Sequence, residues 1–164
     1  MYASSIAPFP PASPEEYAAA VVTAIAAAAT APDASSTLYH FVAGIVARSY
    51  SSPEVVAYAA LIAARTFAKT EPPRDVASLG LILAVCLSLS QSYLYDECAC
   101  ASAWAELLGL AEEEVVRIQG WVLMALDWDI HFSAQELGDF WAQAEALYIG
   151  IPYEVGVVPT VRGM

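Results

Sequence analysis

Apolar and polar positions follow a helical period along most of this chain, and the one long exception is a segment with no charge from Val76 to Tyr95. A stretch of that length without charge is apolar on every side, so protein or lipid must surround it. The amphipathic segments on both sides supply the wrapping and predict a central helix buried in a helical bundle. A bilayer span needs a similar length, ~20 residues. Against a span stand Ser78, Ser88, Ser90, Gln91 and Ser92 inside the segment. Its flanks, Arg74-Asp75 and Asp96-Glu97, also lack a basic cluster on one side. The expected class is all-α, with no membrane contact.

Start and stop signals divide the rest. Residues 1–12 carry Pro8, Pro10 and Pro11 among Ala and Ser, which reads as a proline-rich, poorly ordered arm. Ser13-Pro14-Glu15-Glu16 combines a capping serine, a proline at the first helical position and a capping-box glutamate. It predicts a helix within 13–34, with Tyr17, Val21, Ile25 and Ala28 on one face. A second helix begins near Ser35 or Ser36, with Leu38, Val42, Ile45 and Ser49 sharing a face. Ser52-Pro53-Glu54 repeats the cap, launching a helix whose inner face is Val55, Ala59, Ile62 and Thr66, and Pro72-Pro73 bars its continuation.

After the uncharged helix, for which Asp75 is the expected cap, Cys98 to Leu108 predicts a short helix stopped by Gly109. Glu112, Glu113 and Glu114 then occupy a first turn, where the helix dipole favours anions. That helix carries two apolar stripes: Val115, Ile118, Val122 and Ala125, and beside them Val116, Gln119, Leu123 and Leu126. One stripe suffices to bury a helix, so the second means either deeper burial or a surface kept for a partner. Ser133-Ala134-Gln135-Glu136 is a further capping box, opening a last helix within 133–150. Residues 151–164 read as an extended tail.

Composition narrows the function. With 164 residues and 59% hydrophobic content, the chain can bury one sizeable core. A formal charge of −12 repels phosphate backbones, and no Lys/Arg cluster offers a footprint, so nucleic acid is not an expected partner. Three cysteines make no disulfide framework, and the Met1 region lacks the basic start and apolar core of a signal peptide. An intracellular setting, nucleus or cytoplasm, is expected. Cys98 and Cys100 are too closely spaced for a zinc pair and no second pair follows. Asp127 and Asp129 near His131 read as caps of the helix exit. No phosphate loop, nucleophile elbow or paired-histidine metal motif occurs. The expectation is a non-enzyme without cofactor or metal, acting through a surface.

The phrases Leu89-Ser90-Gln91-Ser92-Tyr93-Leu94-Tyr95-Asp96, Trp104-Ala105-Glu106 and Ala125-Leu126-Asp127-Trp128-Asp129-Ile130, taken in order, resemble the cyclin box. The upstream run Ala60-Leu61-Ile62-Ala63-Ala64-Arg65 is similar to that family's second box helix, which ends in an arginine. The likeness covers roughly Leu38 to Ser133 and looks closest to the single-box cyclins of the fungal phosphate-regulon type. It implies a five-helix cyclin-box bundle over 35–132 around the buried central helix, with an extra helix before and after. It also implies a cyclin-dependent protein serine/threonine kinase as partner, gripped through the third and fifth box helices. Carried over by position, the kinase-binding residues are Leu89, Ser92, Tyr93, Gln119, Leu123, Trp128 and Ile130. Two of these depart from the family: Ser92 stands where a kinase-binding lysine is expected, and Gln119 where a glutamate is expected. A second reading follows, a degenerate cyclin-fold scaffold or self-associating helical protein that uses the same surface without activating a kinase.

Overall fold

A computed structural model describes residues 35–140 and residue 142, and all regular structure among them is helical. The expected arm at 1–12, the helix at 13–34 and the tail at 151–164 lie outside the described residues, as does most of the last helix. Five helices follow in order: α1 (Ser35–Arg48), α2 (Pro53–Lys69), α3 (Val76–Leu94), α4 (Ala101–Leu108) and α5 (Glu112–Ala125). Residues 134–140 begin a further helix.

The caps form as the sequence leads one to expect. Ser52 Oγ accepts the Val55 N–H at 3.3 Å, an arrangement worth about 1 kcal/mol over alanine. Asp75 Oδ1 accepts the Ser78 N–H at 2.7 Å, and Gly109 leaves α4 in the left-handed region at φ 68°. The Ser133/Glu136 capping box closes in both directions, with Ser133 N–H donating to Glu136 Oε2 at 2.7 Å and Glu136 N–H to Ser133 Oγ at 3.2 Å. Ala111 has no side-chain acceptor, so only half of that motif forms at the start of α5: Glu114 Oε2 takes the Ala111 N–H at 3.3 Å. One boundary differs from expectation. Cys98 to Cys100 are not helical, because Cys100 adopts extended backbone (φ −71°, ψ 167°) and becomes the cap residue of α4.

The uncharged helix α3 is the centre of the bundle, packing against each of the other four helices. Every residue from Ile82 to Ser90 is buried. The helix is long and apolar enough to cross a membrane by length and composition, and 61% of its apolar window is buried inside this protein. Its serines are satisfied internally. Ser90 Oγ donates to the Val55 carbonyl of α2 at 2.7 Å, and Ser88 Oγ donates to its own helix at Val85 O, also 2.7 Å. Along the other side, Phe41 of α1 lies so close to Gly80 that an added Cβ would sit 2.9 Å from its ring. Farther along, Gln91 Nε2 donates to Ser49 O at 3.3 Å, so α1 and α3 run side by side in the same direction.

The two stripes of α5 divide unevenly. Val115 and Val122 are completely buried, with Ile118 and Ala125 half-buried, so the first stripe faces the core. In the second, Leu126 is fully buried, Gln119 and Leu123 are half-buried, and Val116 is exposed. The helix ends in a paired-bond stop, with Trp128 N–H donating to Leu123 O at 2.8 Å and Asp127 N–H to Met124 O at 3.1 Å. Glycine usually occupies such a turn; here Asp127 (φ 53°) and Trp128 (φ 63°) both take left-handed backbone.

Candidate partner-binding surface

The chain leaving α5 is held against α2 by Arg65. Its guanidinium donates to Asp129 O at 3.3 Å and His131 O at 3.1 Å, pairs with Glu136 at 2.9 Å and lies 4.0 Å from the Phe132 ring centroid. A planar cation with five donors can serve carbonyls, a carboxylate and an aromatic face together, which an ammonium cannot. Tyr58 completes the anchor. Its hydroxyl donates to Phe132 O at 3.2 Å, and its ring stacks at an angle on Tyr93, centroids 5.6 Å apart. Burial pushes the Tyr58 hydroxyl above the usual tyrosine range. Asp129 Oδ1 caps the turn by accepting the His131 N–H at 3.2 Å, while Asp127 pairs with Lys69 at 3.7 Å.

This anchoring fixes the segment that carries Trp128 and Ile130, while the other five expected kinase-binding residues lie on α3 and α5. Ser92 is exposed, its Oγ donating to Ser88 O at 3.0 Å. Gln119 is half-buried, and its Nε2 donates to Ser88 Oγ at 2.9 Å. Ser88 is thus the common partner of the two positions where the cyclin pattern expects opposite charges. Tyr93 is 43% exposed, with its hydroxyl 3.0 Å from His131 Nδ1. Trp128 is 68% exposed. Leu123 and Ile130 are half-buried against the core, each showing one side outward. Leu89 is different: at 7% exposed it belongs to the core and offers almost no surface, because the neighbouring helices cover α3 on every side from Ile82 to Ser90, short of Ser92 and Tyr93.

Other positions of α5 carry exposed apolar residues that the stripe pattern left out. Met124 is 66% exposed, and Trp121 opens beside it. Trp121 also borders a cleft of about 410 Å³ between α3 and α5, walled by Leu81, Ile82 and Ile118, with Glu71 and Arg117 at its rim. Met124 and Trp121 both lie off the two apolar stripes, so helical periodicity gave no signal for them.

No family model, curated protein or solved structure matches this chain. Its own geometry therefore carries the functional reading. Among the described residues no group of three or more His, Cys, Asp and Glu side chains could hold a metal. Cys86 is sealed in the core, where burial raises its thiol far above the ordinary range, and it cannot act as a nucleophile there. What the surface offers is exposed aromatic area at Tyr93 and Trp128 beside the polar Ser92–Ser88–Gln119 cluster.

Proposed function

We propose that this domain is a cyclin-like regulatory subunit that binds and regulates a cyclin-dependent protein serine/threonine kinase through α3 and α5, acting inside the cell. The observation that carries the reading is the Ser92–Ser88–Gln119 linkage, which sets the two diverged positions side by side between exposed Tyr93 and Trp128. The order of five helices around a central α3 supports this reading, while α2 departs from the family pattern by running past Arg65 to Lys69. In this reading α3 and α5 hold the mobile helix of the kinase small lobe, whose glutamate pairs with the catalytic lysine. The regulatory effect equals the difference in affinity for the active and inactive kinase conformations.

Serine and glutamine at the two central positions weaken the grip. Charge-assisted bonds are roughly twice as strong as neutral ones, and Ser92 is too short to reach where a lysine would. Each charged bond lost costs about 1.5–3 kcal/mol, or roughly ten- to a hundredfold in affinity. Aromatic anchors dominate protein interfaces, so Trp128, Tyr93 and Leu123 carry more of the binding here. The test is copurification of the full chain with cyclin-dependent kinases under conditions where a conventional single-box cyclin copurifies. Recovery of such a kinase, lost on Trp128→Ala with Leu123→Ala, supports the reading; recovery of none rejects it.

A second reading has its own observation. Val116 and Met124 on α5 and Trp128 just beyond it are exposed apolar residues, area that a second copy of the chain could cover. Sedimentation without any partner separates the two: a stable dimer dispersed by Met124→Glu favours self-association.

A further inference from the structure

We infer that the cleft between α3 and α5 is the docking site of this chain's own segment 13–34, which seats the face of Tyr17, Val21, Ile25 and Ala28 against Leu81, Ile118 and Trp121. None of the seven residues discussed for the kinase reading lines that cleft, so failure of one proposal leaves the other untouched. The cleft measures about 410 Å³, and of its lining only Glu71, Ser78 and Arg117 are polar. Leu81 and Ile118 are half-buried and Trp121 is 37% exposed, so each keeps apolar area that a further element could remove from water.

The place where α1 begins brings that segment within reach. Leu38 lies 3.6 Å from where a Cβ on Gly80 would stand, so the first turn of α1 is beside the first turns of α3. Because the two helices run in the same direction, Ser35 lies toward the N-terminal end of α3. Ser78 and Ile82 are each two residues from Gly80, about 200° round the helix, so the cleft opens on the other side of α3. To reach it, the chain ahead of Ser35 crosses roughly one helix width, ~10–12 Å. Residues 29–34 extend to at most ~20 Å, which covers the crossing, and Pro32 among them interrupts a helix. The residues upstream suit the cleft. No charge occurs from Tyr17 to Pro32, and Glu15, Glu16 and Asp33 fall outside that run, so covering the stripe desolvates no charge. Ala18 and Ala24 flank the stripe, and small side chains at a contact let two helix axes approach closely.

The test places a photocrosslinking residue in the full chain as Trp121→benzoylphenylalanine, irradiates it at low protein concentration and locates the links by mass spectrometry. The expected product is a link within one chain to residues 17–28. Val116→benzoylphenylalanine, exposed on the same helix about 140° away, should not reach that segment. Val21→Asp with Ile25→Asp should cut the yield from position 121 at least tenfold. Ala19→Asp with Ala26→Asp, which adds the same charge to the opposite face, should cut it less than twofold. A link between two copies would assign the cleft to self-association and overturn the proposal. A link to residues 143–164, no link at all, or equal loss in the two double variants overturns it as well. Circular dichroism checks the fold. If the Val21/Ile25 aspartate variant loses its helical signal, Val21→Ala with Ile25→Ala replaces it and should cut the yield at least threefold.

Discussion

Gln119 on α5 donates through Nε2 to Ser88 Oγ on α3 at 2.9 Å, fastening together the two helices that the proposed function requires. The bond uses a neutral side chain where the resemblance expects a carboxylate, and Ser92 one turn beyond Ser88 is neutral too. On the proposed reading, the two positions lie where a cyclin would carry a charged pair. If partner binding depends on this pair, restoring the charges should strengthen it. The double variant Ser92→Lys with Gln119→Glu is expected to tighten binding to a cyclin-dependent kinase by about tenfold or more, read by titration calorimetry. Unchanged affinity would reject the weakened grip.

Trp128 combines high exposure with a left-handed backbone, and a non-glycine residue there costs roughly 1–2 kcal/mol. Such strain in an exposed aromatic residue suggests that the side chain is kept for contact rather than for folding. Trp128→Gly should therefore leave folding stability unchanged or raise it by up to about 1 kcal/mol in urea unfolding. The same variant should lose the partner. A stability loss beyond about 1 kcal/mol would place Trp128 in the fold instead.

At Gly80 a methyl group would meet the Phe41 ring at 2.9 and 3.0 Å. Overpacking of this kind costs about 1–3 kcal/mol, against a helix-propensity gain of about 1 kcal/mol for alanine over glycine. Gly80→Ala is expected to be net destabilising by about 1 kcal/mol in chemical denaturation. Phe41→Leu added to it should recover most of that loss. Stabilisation by Gly80→Ala alone would mean that α1 yields to the added group.

Two carboxylates make the fold acid-sensitive in a predictable direction. The Ser133 N–H and hydroxyl, with Arg65 beyond, hold Glu136 below its usual 4.5, and the Ser78 N–H and hydroxyl hold Asp75 below its usual 3.8. A carboxylate whose folded value is depressed contributes stability above its unfolded value, and loses it as pH falls through the lower folded value. Stability should thus be flat above about pH 5 and decline through the acid range below the unfolded values. Glu136→Gln and Asp75→Asn should each reduce that decline while lowering stability at neutral pH. Parallel curves for all three proteins would show that the caps do not govern the acid limb.

Much of the helical order was legible because its signals are local. A serine or aspartate before an apolar run has one nearby set of N–H groups to satisfy, so Ser52, Asp75 and Ser133 name their helix starts without reference to the rest of the chain. Gly109 names a stop for the same reason. Cys98–Cys100 was harder, since the apolar pattern continues smoothly and only the backbone at Cys100 shows where α4 begins. The candidate surface was legible in part. Ser92, Tyr93 and Trp128 lie outward, whereas Leu89 is buried and Met124 and Trp121 were absent from both stripes.

The sequence by itself determined the helical class, most helix boundaries and the burial of α3, because capping, proline chemistry and the absence of charge act within a few residues. Tertiary structure alone decided which side of α5 is free. Val115, Val122 and Leu126 pack into a core built by the other helices, and Arg65 and Tyr58, more than sixty residues away along the chain, hold Asp129, His131 and Phe132 at the helix exit. Periodicity states which residues share a face. Only packing against distant partners determines whether that face meets the core or the solvent.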